Sequence, residues 1–141
     1  MKLSKSALVF FSVWAFAVVV RAAVQDPKPA AERSTKSGVY SAVQADGGKK
    51  AYEMLCLGGC HSASSHIGIA FKQHWNGHLV SELYDKIHDM MPDDDPGSLT
   101  PKQGIELVAY ILKMNNMPAG KDDLPTDAAV LSKIRIEVPE K

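Results

Sequence analysis

The chain has few cysteines and no net charge. Two cysteines in 141 residues are too few for a disulfide-stapled mini-protein. Sixteen basic residues balance sixteen acidic ones, so the composition does not indicate a surface for nucleic acid or another polyanion. The length excludes a multidomain enzyme, and an apolar fraction of 45% excludes a disordered protein. These limits predict one small soluble domain.

The amino terminus has the pattern of a secretory signal. Lysines precede an apolar run over 7–20, and the small or aliphatic residues around Ala22 resemble a cleavage site. A retained membrane anchor is the alternative, but this run is shorter than the roughly 20 residues that cross a bilayer as a helix. We therefore expect a signal peptide over 1–22 and an exported, periplasmic protein. Cleavage leaves 13 basic and 16 acidic residues, a net charge of −3.

Proline and small residues mark the segment that follows. Residues 23–38 contain two prolines and show no apolar periodicity, so we expect a flexible leader. A folded domain over 39–120 and a C-terminal extension over 121–141 come next. A domain of about eighty residues is near the size that usually needs a covalent or metal staple, and we expect one here.

Apolar residues recur at helical spacing in three stretches. The first predicted helix covers 47–55, and the second carries an apolar stripe over 79–91 and ends at Pro92. The third begins with a capping box at Thr100 and has proline in its first position. A short fourth helix is expected from Thr126 onward, and no stretch alternates as a strand does. The sequence therefore predicts an all-α fold of three to four helices with long loops.

The candidate chemistry lies in the segment Cys56-Leu57-Gly58-Gly59-Cys60-His61. In an exported protein, two nearby thiols followed by a histidine are what covalent haem attachment requires, because each sulfur adds to one vinyl group. His61 then lies beneath the iron as an axial ligand. Three residues separate the cysteines where two are usual. We expect Gly58 and Gly59 to absorb the additional residue in a bulge.

Two other interpretations of these residues stay open. Cys56 and Cys60 could form a local disulfide, which is common in exported proteins. They could also bind zinc together with His61 and another histidine. The rest of the chain favours haem.

Residues 38–63, 71–120 and 124–136 together resemble a class I c-type cytochrome, of the subgroup found beside or fused to quinoprotein dehydrogenases. The resemblance implies a small cytochrome c fold around one covalently attached haem c. It also implies that Cys56 and Cys60 carry the thioether bonds.

Met91 is the candidate for the second axial ligand of the iron. The family's distal methionine stands directly before a proline in a stretch like MPDDDPGSL, and Met91 matches it. Pro92 holds its predecessor in an extended geometry that could present Met91 to the iron, with the adjacent Met90 as a competitor. A neutral thioether opposite the imidazole of His61 favours ferrous iron and fills both axial positions.

The resemblance extends to contacts around the haem. Trp75 and Asn76 match a pair of residues near the haem edge. Gly48 and Tyr52 match residues of the first helix that pack against the last helix near Tyr110.

The remaining polar groups have ordinary interpretations. The four other histidines are expected to be exposed: His66, His74, His78 and His88. The alternative is that His74 or His78 is the sixth iron ligand, which would lower the reduction potential. The acidic run over 93–95 is expected to be a solvated turn, with a docking patch for a basic partner as the alternative.

These patterns predict a monohaem electron carrier without enzymatic activity. It would move single electrons from a dehydrogenase or quinol-linked donor to an acceptor such as a terminal oxidase. Its expected partners are those redox proteins and the cytochrome c maturation machinery, with no nucleic acid and no membrane span after signal cleavage. The alternatives are a haem protein with an open distal site, for gas binding or peroxidatic chemistry, and an exported helical module without a cofactor.

Overall fold

The computed structural model of the protein describes residues 33–57 and 61–140. This part is mostly helical, as the sequence predicts, and it also contains a small parallel sheet of two strands. In chain order the elements are β1 (Arg33–Ser34), α1 (Ala42–Leu55), α2 (Gly68–Trp75), α3 (Val80–Met90), α4 (Pro101–Met114), α5 (Ala128–Leu131) and β2 (Ile134–Arg135). Short 3₁₀ turns at Thr35–Ser37 and Ala63–His66 precede α1 and α2.

Several predicted features lie outside the described residues. They are the signal peptide over 1–22, most of the leader over 23–38, the Gly58-Gly59 bulge and the thioether at Cys60. Within the described ranges, no helix is both long enough and apolar enough to cross a membrane.

Helix α4 begins where the sequence predicts. The hydroxyl oxygen of Thr100 accepts a hydrogen bond from the backbone N–H of Gln103 at 3.2 Å, and the Gln103 side chain accepts one from the backbone N–H of Thr100 at 2.9 Å. This capping box satisfies N–H groups that have no partner inside the helix. Pro101 stands in the first helical position, where its missing N–H is not needed. The predicted third helix is confirmed, and it continues to Met114.

Helix α1 begins several residues before the predicted start at 47. Its N-cap is Ser41, whose hydroxyl oxygen accepts a hydrogen bond from the backbone N–H of Gln44 at 3.0 Å. A pair of glycines inside the helix made its first turns hard to recognise, because glycine is a poor helix former. The structure explains one of them. A Cβ on Gly48 would overlap the backbone oxygen of Glu106 in α4.

The close crossing of α1 and α4 lies at the centre of the core. The ring of Tyr52 lies edge-on to that of Tyr110, with 5.4 Å between their centroids. This confirms the predicted packing of Gly48 and Tyr52 near Tyr110. The surrounding buried side chains include Tyr40, Phe71, Val80, Leu107, Val108, Leu112 and Leu131.

The sheet and the end of the chain differ from the all-α prediction. Strands β1 and β2 pair in parallel, Arg33 with Ile134 and Ser34 with Arg135. The fourth helix, expected from Thr126 onward and through Ile134, is only the four-residue α5, and Ile134 lies in β2. Strands of two residues are too short to show the alternation by which a strand is recognised in sequence.

Both ends of the described chain contribute to this core. Thr35 is buried, and its hydroxyl donates to the backbone oxygen of Glu137 at 3.2 Å. The predicted extension over 121–141 supplies four buried residues, which are Leu124, Leu131, Ile134 and Ile136. Residues 33–38 therefore already make ordered contacts, ahead of the start at residue 39 that the composition indicated.

Helix α2 has no counterpart among the predicted helices. It spans eight residues, and its N-cap residue, Ile67, makes no capping hydrogen bond through its side chain. Of its residues only Phe71 is buried, so the apolar stripe that identifies a helix is missing. This short helix nevertheless matters for the site, because Trp75 is its last residue.

Candidate haem site

A cavity opens between α1, α2, α3 and α4. It contains about 960 Å³ of space, its open mouth included. Its walls are mainly apolar. Much of this surface comes from Phe71, Leu83, Ile87, Leu107 and Ile111. A cavity with such walls is suited to a large ligand that is itself mostly apolar.

Cys56 and His61 meet at one side of this cavity. Cys56 is the residue that ends α1, and both side chains line the cavity and are half-buried. The backbone N–H of His61 donates to the backbone oxygen of Cys56 at 3.2 Å, so the chain returns to the end of α1 within one turn. Helix α1 thereby positions both groups. The second thioether, at Cys60, remains a prediction.

Met91 reaches the same cavity from the end of α3. Its backbone is extended, with φ −124° and ψ 150°, which confirms the geometry predicted from Pro92. Met91 lines the cavity and is half-buried. Its competitor Met90 points away from this space. Met90 is 52% exposed, and its sulfur lies 3.6 Å from the ammonium group of Lys86.

The structure separates the two residues predicted near the haem edge. Trp75 lines the cavity and packs against the core. Asn76 is not among the residues that line it. The Asn76 side-chain oxygen accepts a hydrogen bond from the backbone N–H of Val138 at 2.9 Å, so it ties the C-terminal segment to the end of α2.

His66 is a cavity residue that the sequence did not reveal. The expectation that it is exposed is wrong, because it is half-buried and lines the cavity beside His61. Its Nδ1 lies 2.8 Å from the hydroxyl of Tyr52. Burial lowers the pKa of His66, with a smaller contribution from His61, while burial raises the pKa of Tyr52. Both groups are therefore neutral near pH 7. No local pattern links positions 52 and 66, so this pair could not be predicted from the sequence.

The other three histidines take different positions. His74 and His78 are exposed, as expected, although His74 also lines the cavity. His78 faces Glu82, with 3.1 Å between its Nδ1 and the carboxylate. His88 is half-buried rather than exposed, because its ring stacks on that of Tyr84 with 5.2 Å between centroids. Of the two histidines considered as the sixth iron ligand, only His74 lines the cavity.

The acidic run over 93–95 forms an exposed turn at the edge of the cavity. The backbone N–H of Asp95 donates to the backbone oxygen of Pro92 at 3.2 Å, and all three aspartates are exposed. Asp93 also lines the cavity. The structure confirms that this turn is exposed to solvent, as expected.

These residues fit a haem. An imidazole and a thioether are axial haem ligands in cytochromes, and a cysteine beside the imidazole provides a position for a covalent bond. The apolar walls suit a porphyrin. Within 33–57 and 61–140, no group of three or more histidine, cysteine, aspartate or glutamate side chains is arranged to hold a metal ion.

Comparison with known proteins adds no relative: no family model, curated protein or solved structure matches this chain. The chemistry of the site is therefore inferred from its residues and their geometry.

Proposed function

We propose that the chain is an exported class I c-type cytochrome that binds one haem and carries single electrons. The observation that supports it most is that one apolar cavity collects Cys56, His61 and Met91. These residues come from the end of α1, the turn after it and the end of α3. Each has the chemical group that haem binding needs at its position.

Each of these residues has a distinct role in the proposal. Cys56 and Cys60 hold the cofactor through thioether bonds. His61 and Met91 would hold its iron. When bound, the haem supplies a one-electron couple between ferric and ferrous iron. If His61 and Met91 both held the iron, no position on it would be left for a substrate, which would suit a carrier rather than an enzyme.

The walls of the cavity control the reduction potential. Apolar side chains keep water away from the iron and lower the local dielectric constant, which destabilises the more highly charged ferric form. The soft, neutral sulfur of Met91 acts in the same direction. We therefore expect a potential higher than that of a protein with two histidine ligands.

The cellular role follows from the amino-terminal signal and from this chemistry. Export would place the protein in the periplasm, where the maturation machinery attaches haem c. A dehydrogenase or quinol-linked donor would reduce it, and an acceptor such as a terminal oxidase would oxidise it.

Expression of the full chain together with a cytochrome maturation system tests this function. The purified protein should retain haem on a denaturing gel, and its intact mass should exceed that of the processed polypeptide by one haem. A variant carrying both Cys56→Ala and Cys60→Ala is the matched control and should lose the stain. Wild-type protein that is colourless, with the mass of its amino acids alone, contradicts the proposal.

A further inference from the structure

A groove between α2 and α3 opens to solvent beside the haem cavity. Its lining residues come from the exposed face of α3 and from the end of α2 and the turn after it. Three of them also line the cavity, and these are His74, Trp75 and Lys86. The side chain of each carries an N–H donor. The side of the cavity that borders the groove is therefore rich in donors, in contrast to the apolar side chains that form most of the cavity walls.

Lys86 supplies the positive charge on this side. It is the one lysine or arginine among the described residues that line the cavity, and it is exposed. Leu83 and Ile87 of the same helix are buried and line the cavity too, three positions before Lys86 and one position after it. This placement suits a side chain whose methylene stem lies along an apolar wall while its ammonium stays at the surface.

The ammonium of Lys86 has no carboxylate partner in the described part of the chain. None of the ion pairs there includes Lys86, and its ammonium lies 3.6 Å from the sulfur of Met90, which is a weak acceptor. Lys113 shows the usual arrangement, with its ammonium 2.7 Å from the carboxylate of Asp46. A lysine with so weak a contact at the edge of an apolar cavity is suited to an anionic group of the ligand that the cavity binds.

Haem has such a group. Its porphyrin is mainly apolar, but it carries propionate carboxylates on the side away from its vinyl groups. Thioether bonds to Cys56 and Cys60 would hold the vinyl side next to the end of α1. A carboxylate placed among apolar walls is unfavourable unless a cation or hydrogen-bond donors compensate it. The donors that line the cavity from α2 and α3 meet this requirement.

Building on the proposed function, we propose that Lys86 binds the haem propionates, with the ring N–H groups of His74 and Trp75 as further donors. The propionate side of the haem then faces the groove between α2 and α3. His74 thereby has a role at the edge of the cavity that does not involve the iron. The positive charge of Lys86 offsets the carboxylates, whose negative charge favours ferric iron, so Lys86 raises the reduction potential.

The direct test is NMR of the reduced wild type, in which low-spin ferrous iron is diamagnetic. Nuclear Overhauser contacts should join the propionate methylene protons of the haem to the side chain of Lys86. Propionate contacts that go to other residues, with none to Lys86, overturn the proposal. Because this experiment uses the wild type, it does not depend on the maturation of any variant.

Redox titration of three variants, followed by their visible spectra, measures the charge effect. At a fixed applied potential, Lys86→Gln should change the ratio of oxidised to reduced protein roughly fivefold toward the oxidised form, which equals a fall of about 40 mV for one electron. Lys86→Arg keeps the charge and should stay near the wild type. Lys50→Gln is the matched control, because it removes the same charge from an exposed residue of α1 that is not among those lining the cavity.

The outcomes separate this inference from the proposed function. A wild-type potential in Lys86→Gln overturns the inference. So does a fall of the same size in Lys86→Arg or in Lys50→Gln. Absence of haem from the wild type instead refutes the proposed function.

Discussion

The two sides of the cavity are held in different ways. The His61 wall, formed by Tyr52, Cys56, His61 and His66, is attached to α1 and α4, which cross at the centre of the core. The Met91 wall, formed by Met91, Pro92 and Asp93, lies just past the end of α3 and continues into an exposed acidic turn.

This difference separates the tasks of the two walls. The buried Asn115 and Tyr52 hold His66 of the His61 wall by hydrogen bonds, and Cys56 lies at the end of α1. Half-buried Met91 depends mainly on the end of α3. Changes near α1 and α4 should therefore affect folding, whereas changes at Met91 should affect the potential with little effect on folding.

The largest effect should come from the crossing of α1 and α4. Gly48→Ala places a Cβ against the backbone oxygen of Glu106 and the Cβ of Tyr110, neither of which can move alone. We expect a loss of about 3 kcal/mol or more in the free energy of unfolding, measured by urea denaturation.

Gly47→Ala is the control for this change. Its new Cβ would approach only the carboxylate end of Glu106, which is flexible, and alanine favours a helix by about 1 kcal/mol over glycine. Stability should stay near that of the wild type. Equal losses in the two variants would show that the crossing is looser than described.

A smaller loss should follow when a clamp on the His61 wall is removed. Asn115→Ala leaves the backbone oxygen of His66 and the backbone N–H of Gly68 without this partner. Both hydrogen bonds are partly buried, and at about 0.5–1.5 kcal/mol for each bond the expected loss is roughly 1–3 kcal/mol. Asn76→Ala removes one exposed hydrogen bond to Val138, so it should cost less than about 1 kcal/mol. Thermal unfolding of both variants measures the difference. An equal loss of stability in Asn115→Ala and Asn76→Ala would show that the His61 wall is held no more firmly than the exposed contact at Asn76.

On the Met91 wall the expected effect is on the iron. Met91→Ala should abolish the sulfur-to-iron charge-transfer band and lower the midpoint potential by at least about 59 mV, a tenfold change in the redox ratio. Met90→Ala should leave both unchanged, since Met90 faces solvent beside Lys86. Loss of the band in Met90→Ala but not in Met91→Ala would show that Met90, and not Met91, is the iron ligand.

The smallest effect is at the outer edge of the α1 and α4 pair. The ammonium of Lys113 lies 2.7 Å from the carboxylate of Asp46 and lowers the pKa of Asp46 from its usual 3.8. A carboxylate with a lowered pKa stabilises the fold above its unfolded pKa, and this contribution is lost as the pH falls through the folded value. Asp46→Asn should therefore slightly flatten the stability curve below pH 4, measured by denaturation at several pH values. A steeper curve in the variant would contradict this pairing.

Local chemistry decided how much of the fold the sequence could predict. Thr100, Pro101 and Gln103 form a helix-capping signal within four residues, so the start of α4 was predicted correctly. The predicted start of α1 was wrong, because the glycine at position 48 is required by the close contact with α4 and does not favour a helix. The two-residue strands β1 and β2 depend on pairing across the whole described chain, which no local pattern records.

The candidate site divides in the same way. The cysteine and histidine motif and the methionine before Pro92 are visible as short patterns, and Cys56, His61 and Met91 do line one cavity. His66 carries no such pattern, since its position depends on Tyr52 in another element. Asn76 illustrates the opposite case. The family resemblance places it near the haem edge, but its side chain instead bonds the backbone of Val138 outside the cavity.

The most direct test of a haem bound between His61 and Met91 is the visible spectrum of the purified full-length product in both oxidation states. The account predicts low-spin, six-coordinate bands that carbon monoxide does not shift. High-spin bands that move when carbon monoxide is added would contradict it.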